Sequence, residues 1–290
     1  MCRAAHAAGL TVMLDATVGT PFLVRPLQQA DAAARPDYVI HSYTKDLVGN
    51  GNTTAGVVIG RNADMFLPKG EAGWHHTLFW NVYYVKGAFL DADKAYEVLS
   101  GMKTLEMRLL KKCINTLILA RWLASHPLIS VSGPASPSDP NREVCDRLSY
   151  LALPAPLFTI HFERAGLDRL TFERFFDNLA PMFGHMVSLG QCNTMVLCPA
   201  LTSHSELGPD ALRAAGISPT TIRLSIGDEE PRELIAGFLA TARLALDPLQ
   251  PGFSAKFPQG AAVDQLCDEI YLDVHRRHAA ARPRFAACAG

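Results

Sequence analysis

The sequence predicts an α/β fold in two parts: a partial large mixed-sheet domain over residues 1–126, then a smaller α+β domain over 127–250. A tail over 251–290 carries one amphipathic helix. Three observations predict this. Short β-branched runs bounded by turn residues, "TVMLD", "DYVIHS" and "AGVVIG", recur within the first sixty residues. A stretch with helical spacing, 101–126, runs into the proline- and serine-rich "HPLISVSGPASPSDPNRE". Beyond that loop, strands and helices follow one another with half-exposed patterning, as in an α+β domain.

Taken in order, "CRAAHAAGL" reads as the last turns of a helix closed by Gly9, feeding "TVMLD" as a buried parallel strand. On this reading the chain starts in the middle of a fold, with earlier βα units absent. "DYVIHS" (37–42) and "AGVVIG" (55–60) are the next two strands. "GMKTLEMRLLKKCINTLILARWLASH" places Leu105, Leu109, Cys113, Leu117 and Ala120 on one helical face, with Lys103, Arg108, Lys111, Lys112 and Arg121 mostly elsewhere, predicting one long amphipathic helix. "LFTIHFE" (157–163) alternates as a strand, "LDRLTFERFFDNLA" reads as a helix, and "TTIRLSIG" (220–227) reads as a strand. "PRELIAGFLATARLAL" reads as a helix with proline at its first position. In the tail, "VDQLCDEIYLDVHRR" is helical and "AAARPRFAACAG" is expected to be loose and without function. No internal repeat is present.

Composition narrows the partners. Lys plus Arg, 27, nearly balance Asp plus Glu, 28, so no net field draws in nucleic acid or an anionic membrane surface, and a small neutral or zwitterionic ligand suits the chain better. Apolar types make up 49% of the 290 residues, enough for a substantial core. No secretory leader pattern or membrane-length apolar run is present, and the seven cysteines are scattered without a Cys-x-x-Cys pair. A cytoplasmic protein with reduced thiols is expected, with neither a disulfide framework nor a zinc cage.

One lysine invites chemistry. Lys45 follows a hydroxyl-rich tripeptide in "HSYTKDLVGNGNTTAGVVIG" and precedes a glycine-spaced turn. Taken alone it is most simply a solvated loop lysine. Its neighbours add two features. Asp15 ends the strand "TVMLD", where α/β sheets present ligand groups, and Ser42 and Thr44 flank the end of the next strand. An acid for a pyridinium nitrogen, hydroxyls for a phosphate and a lysine for an aldimine are what pyridoxal phosphate requires. A turn-capping acid and ordinary turn hydroxyls account for the same residues without a ligand.

Longer motifs add to this. "VMLDATVGTPFLVRPL" followed by "DYVIHSYTKDLVGNG", then "GMKTLEMR", then "MVSLG" with "TIRLSIG", resembles in order the Cys/Met metabolism (trans-sulfuration) family of fold type I pyridoxal phosphate enzymes. The likeness covers roughly residues 1–245 and is nearest to its O-acetylhomoserine sulfhydrylase and γ-lyase members. It implies a fold type I α/β architecture, pyridoxal 5'-phosphate as cofactor, and homo-oligomers. It also implies γ-replacement or γ-elimination on sulfur-containing or O-acylated amino acids. Carried over by position, it assigns the aldimine to Lys45, the pyridinium nitrogen to Asp15, and part of the phosphate site to Ser42 and Thr44. The substrate's α-carboxylate falls to Arg223, aided by Ser188, since a planar guanidinium can grip a carboxylate with two bonds. Members that handle cystathionine commonly carry a glutamate shortly after the S-L-G motif, where "SLGQCNT" has Asn193, and "PALTSHSEL" is more like the sulfhydrylases.

The family also supplies, ahead of this strand, a phosphate loop at a helix start, a tyrosine that stacks on the cofactor and an arm that reaches the neighbouring subunit. None of these precedes Met1, so this chain alone is expected to be weakly active or inactive. A non-catalytic scaffold that has lost productive cofactor binding is the alternative. "GNGNTTAG" precedes a strand rather than opening a helix, which excludes a dinucleotide fingerprint. His75 and His76 lack a matched acid or thiol spacing and read as loop or interface residues rather than metal ligands, and the aromatic "TLFWNVYYVKGAFL" reads as core or subunit packing.

Overall fold

Three short strands build the first sheet. Helix α1 (Cys2–Ala7) passes through Gly9, at φ +70°, into β1 (Met13–Asp15). A left-handed turn of this kind suits a residue without a Cβ. Strand β2 (Tyr38–Ser42) pairs parallel to β1, with Asp15 opposite Ile40, and β3 (Gly56–Ile59) pairs antiparallel to β2, with Ser42 opposite Gly56. Between β1 and β2 the short α2 (Thr20–Leu23) buries Phe22 and Leu23. The computed structural model describes residues 1–282.

The parallel pairing of β1 agrees with the sequence pattern, but its burial does not. All three of its residues are exposed, with Met13 at 60%. β1 is the edge of the order β1-β2-β3, so among the described residues it is paired on one side only. After β3 come α3 (Asn62–Met65) and an aromatic stretch that packs on itself. Phe79 stacks on Tyr83 with centroids 5.2 Å apart, Trp74 meets Trp80 edge-on at 5.0 Å, and the Trp80 indole N–H donates to the Leu67 carbonyl.

The single helix predicted for 101–126 is two. Helix α4 (Ala92–Lys103), capped by Asp91 accepting the Lys94 N–H at 2.9 Å, stops where Thr104 leaves helical geometry and its hydroxyl donates back to the Gly101 carbonyl. Helix α5 (Leu105–Ala124) then starts afresh. It is not amphipathic in the expected way either: from Leu109 to Leu123 it is buried on almost its whole circumference, Lys112 included.

The chain divides into two compact units, Met1–Glu106 and Met107–Gly290. The division falls before the bulk of α5 rather than after it, where the loop composition had suggested, because the apolar residues of α5 pack within the second unit. Trp122 is its anchor. The ring is fully buried, stacks on Phe257 at 4.2 Å, meets Phe238 edge-on at 5.5 Å, and donates its N–H to the Pro258 carbonyl at 3.0 Å.

The second unit carries a five-stranded sheet. Its strands are β4 (Ser130–Ser132), β5 (Leu157–His161), β6 (Gly184–His185), β7 (Met195–Leu197) and β8 (Thr221–Ser225), in the order β4-β5-β8-β7-β6. Only the β6–β7 pairing is parallel. Strand β4 forms inside the loop that had looked like a linker, and β7, three buried residues long, is too short to show a periodicity. The helices are α6 (Arg142–Leu148), α7 (Arg169–Asp177), α8 (Pro209–Ala214), α9 (Pro231–Ala245) and α10 (Ala261–Ala281). Asp168 caps α7 through the Thr171 N–H, and Pro231 opens α9 as expected.

Phe175, Phe183 and Phe257 gather around Phe238 to form the core. Helix α10 is clamped from outside it. Arg232 at the start of α9 bonds Asp264 and Asp268, and Arg121 of α5 pairs with Glu269. Of the tail expected to be loose, residues 279–281 complete α10, and residues 283–290 lie outside the described residues. Among the described residues six cysteines carry free thiols, and no helix is long and apolar enough to cross a membrane.

Trp122→Ala removes the largest fully buried side chain from this core. It is expected to cost about 3–5 kcal/mol of folding free energy, read as a lower midpoint in denaturant unfolding with helix content otherwise retained.

Candidate functional site

Because β1 and β2 run parallel, their carboxyl ends lie side by side, the position at which open α/β sheets collect ligand groups. Asp15 stands at one end and Ser42 at the other. Thr17 joins them: its N–H donates to Asp15 Oδ1 at 2.8 Å, and its hydroxyl oxygen accepts the Ser42 N–H at 2.8 Å. The Thr17 hydroxyl in turn donates to the Asp15 carboxylate. That bond and the Thr17 N–H hold the acid below its ordinary value of 3.8, with a smaller contribution from His41 and against the opposing effect of burial. Asp15 is therefore an anion at neutral pH.

Behind the acid, His41 is buried, and burial lowers its pKa against the opposing charge of Asp15, so the ring is neutral at pH 7. Its Nδ1 has no hydrogen-bond partner. Neither Thr17 nor His41 figures among the residues singled out from sequence. A signal for Thr17 was present, a hydroxyl residue two positions after a strand-end acid, which is the spacing of an Asx-type turn.

Lys45 lies three residues beyond Ser42, within the tight turn Tyr43–Leu47. The Tyr43 N–H donates to the Ala55 carbonyl at 2.9 Å, and Thr44 closes the turn onto the same residue, its hydroxyl accepting the Ala55 N–H and donating to the Ala55 carbonyl. Lys45 itself breaks the helical geometry, at φ −93° and ψ −140°, while its carbonyl accepts from Val48 and Gly49. The lysine is half-buried and the next two residues, Asp46 and Leu47, are fully buried. Gly49 and Gly51, at φ +82° and +70°, turn the chain back towards β3. From outside, α4 lays Gly101 against this turn so closely that a Cβ there would stand 2.5 Å from the Val48 carbonyl oxygen.

Ser188 and Arg223 belong to the second unit. Arg223 is the central residue of β8, paired with Thr159 on β5 and Leu197 on β7. Its Nη2 donates to the carbonyls of Val187 and Ser188 at 2.7 and 2.8 Å. Ser188 thus meets the arginine through its backbone. Burial lowers the Arg223 pKa, and its buried Nε has no hydrogen-bond partner. Asn193 is exposed on the same loop. A cleft of about 650 Å³ in this unit is lined by Ser130, Ser132, His161, Arg213 and Ser218 rather than by Arg223. In the first unit, His75 and His76 lie with ring centroids 4.0 Å apart beside Trp74, and no cluster of three or more His, Cys, Asp or Glu side chains suited to a metal occurs among the described residues.

Comparison with known proteins decides the family. Residues 1–242 match the model of the Cys/Met metabolism PLP-dependent enzymes. The chain belongs to that family. It is 33% identical over 239 residues to a Porphyromonas gingivalis protein named L-methionine gamma-lyase, covering 81% of this chain and 55% of that one. It is 29% identical over 259 residues to O-acetyl-L-homoserine sulfhydrylase 1 of Thermus thermophilus, covering 81% and 59%. The chain therefore spans little more than half the length of these curated relatives. Among solved structures, cystathionine gamma synthase from Xanthomonas oryzae pv. oryzae, in complex with cystathionine, superposes with a TM-score of 0.72 at 26% identity, covering 86% of this chain and 59% of that one. The architecture is that of fold type I.

The family's cofactor is pyridoxal phosphate, and the first unit offers donors of the right chemistry for it: an ionised acid, hydroxyl groups and a lysine, with an orphaned buried nitrogen on His41 behind the acid.

Thr17→Val deletes the bond that lowers Asp15 most, so the Asp15 pKa should rise towards its ordinary value, as read by carboxyl NMR titration. In the parent protein the folded pKa lies below 3.8. The stabilising contribution of Asp15 is therefore complete above that value and disappears as pH falls through the lower folded one, and the variant should lose this acid-side contribution. Gly101→Ala should displace the Lys45 turn and lower its protection in hydrogen exchange, since a backbone carbonyl cannot yield as a flexible side chain would.

Proposed function

We propose that the protein is a pyridoxal 5'-phosphate-dependent enzyme acting on sulfur-containing or O-acylated amino acids by γ-elimination or γ-replacement, as a carbon–sulfur lyase or transferase. The observation that carries this is the ionised Asp15, tied through Thr17 to Ser42 at adjacent parallel strand ends, with Lys45 in the turn that follows.

In this reading Lys45 holds the cofactor covalently, Asp15 keeps a proton on its ring nitrogen, and Ser42 and Thr44 contribute to its phosphate site. When bound, the cofactor supplies an electron sink for negative charge at the substrate's α-carbon. Lys45, once released, takes and returns protons at the substrate carbons. The Thr44 hydroxyl also keeps the turn closed on Ala55, which fixes where the lysine starts. Arg223 holds the substrate's α-carboxylate. It is supported by the Ser188 backbone, which accepts from its Nη2.

For the substrate, Asn193 stands where members that handle cystathionine commonly have a glutamate. This favours γ-lyase action or sulfhydrylation of an O-acylated homoserine, in keeping with the names of the Porphyromonas and Thermus relatives. The same reading makes the protein a cytoplasmic homo-oligomer. Tyr84, Val85, Phe89, Tyr96 and Leu99 are each more than 60% exposed in the first unit, a density of apolar side chains that calls for a covering surface, here a second copy of the chain.

Added pyridoxal phosphate should give an absorbance band that borohydride fixes onto Lys45, mapped by mass spectrometry and missing in Lys45→Ala. Parent protein that is folded but gives no band would favour the scaffold alternative. Sedimentation should show a dimer or larger, and Tyr84→Asp combined with Val85→Asp should shift it towards monomer with an unchanged far-UV spectrum.

A further inference from the structure

The loop from Val187 to Asn193 presents the two carbonyls that grip Arg223, and it is fastened at three places. At its start, Arg223 Nη2 bonds Val187 and Ser188. In its middle, the Gly190 N–H donates to the Ser225 hydroxyl at 3.0 Å. Its end is fastened by a carboxylate. Thr194 gives both its N–H and its hydroxyl proton to Glu229, the hydroxyl bond being 2.8 Å, and the hydroxyl oxygen accepts the Gly227 N–H at 3.0 Å. The Asp228 N–H donates to the Cys192 carbonyl at 2.8 Å alongside.

The segment that carries Glu229 is itself held. Asn115, fully buried on α5, donates to the carbonyls of Gly227 and Glu229 at 3.1 and 2.7 Å. Contact is so close that a Cβ on Gly227 would fall 2.1 Å from the Cys192 carbonyl oxygen. Thr194 is likewise fully buried, so without Glu229 its N–H would lose its partner away from water, and the loop end would have to move to satisfy it.

We propose that Glu229 is a positioning residue for the carboxylate-binding site: its two-pronged grip on Thr194 sets the end of the Val187–Asn193 loop and thereby keeps the Val187 and Ser188 carbonyls on the Arg223 guanidinium, which fixes how that side chain is oriented. This rests on the reading of Arg223 as the carboxylate-holding residue. Glu229 touches neither substrate nor cofactor in this role.

Two measurements on the full chain test it. Hydrogen exchange without cofactor reads the loop directly: Glu229→Ala should speed exchange across residues 187–194 while leaving the amides of α5 protected. Glu229→Gln, which keeps an acceptor for one of the two bonds, should restore part of the protection, and Thr194→Val should mimic the loss. With pyridoxal phosphate loaded, Glu229→Ala should raise KM for L-methionine or O-acetyl-L-homoserine about tenfold with kcat little changed. That factor corresponds to ~1.4 kcal/mol, near the lower end of the worth of a hydrogen bond to a charged group.

Unchanged loop exchange, or unchanged KM beside a weakened Arg223→Lys, overturns the role of Glu229. An unchanged KM in Arg223→Lys overturns the reading of Arg223, and the proposal falls with it. If Glu229→Ala lowers protection throughout the second unit, including α5, and Glu229→Gln does not rescue it, the residue serves overall stability and the proposal fails.

Discussion

A threonine hydroxyl that donates and accepts at once is the interaction on which both halves of this protein depend. Thr17 gives its proton to Asp15 and takes one from Ser42. Thr44 closes on both backbone groups of Ala55. Thr194 gives to Glu229 and takes from Gly227. Loops after strand ends leave backbone groups without ladder partners, and a short branched hydroxyl can satisfy two such groups while losing little side-chain freedom. Each bridge fixes a functional group that the loop alone would leave loose: the acid, the lysine turn, and the loop that meets the arginine.

The two units differ in how far they bury themselves. In the second, α5 is enclosed, aromatic rings fill the space around Phe238, and α9 and α10 are locked by Arg232 and its three acidic partners. In the first, an edge strand is exposed along its length and aromatic side chains pack on one another while still facing solvent. Contiguous surface rich in apolar groups of this kind is characteristic of an interaction face.

Much of the fold was legible where periodicity is long or punctuation strong. Gly9 closes the first helix, Pro231 opens α9, and the strands at 38–42, 157–161 and 221–225 fall within the runs read as strands. The failures share a cause. The split at Thr104 depends on one hydroxyl returning to Gly101, and the burial of Lys112 depends on neighbours distant in the chain. The three residues of β7 are too few to show a pattern. In the sites the motif residues were visible and Thr17 had a local signal in its spacing from Asp15, whereas His41 and Glu229 had none, because what they meet is set by packing rather than by their own type.

By itself the sequence determined the helix boundaries marked by Gly9 and Pro231, several of the strands, the family, and the short stretches that carry Asp15, Ser42, Thr44, Lys45, Ser188 and Arg223. These are properties of local backbone preference and residue chemistry. Only the tertiary structure decided which groups those residues meet. Thr17 reaches Ser42 across 25 positions and Thr194 reaches Glu229 across 35, and no local spacing encodes such a pairing. The parallel register of β1 on β2 fixes the first and the fold of the second sheet fixes the other, since a hydrogen bond forms only where packing has already brought its two ends within reach.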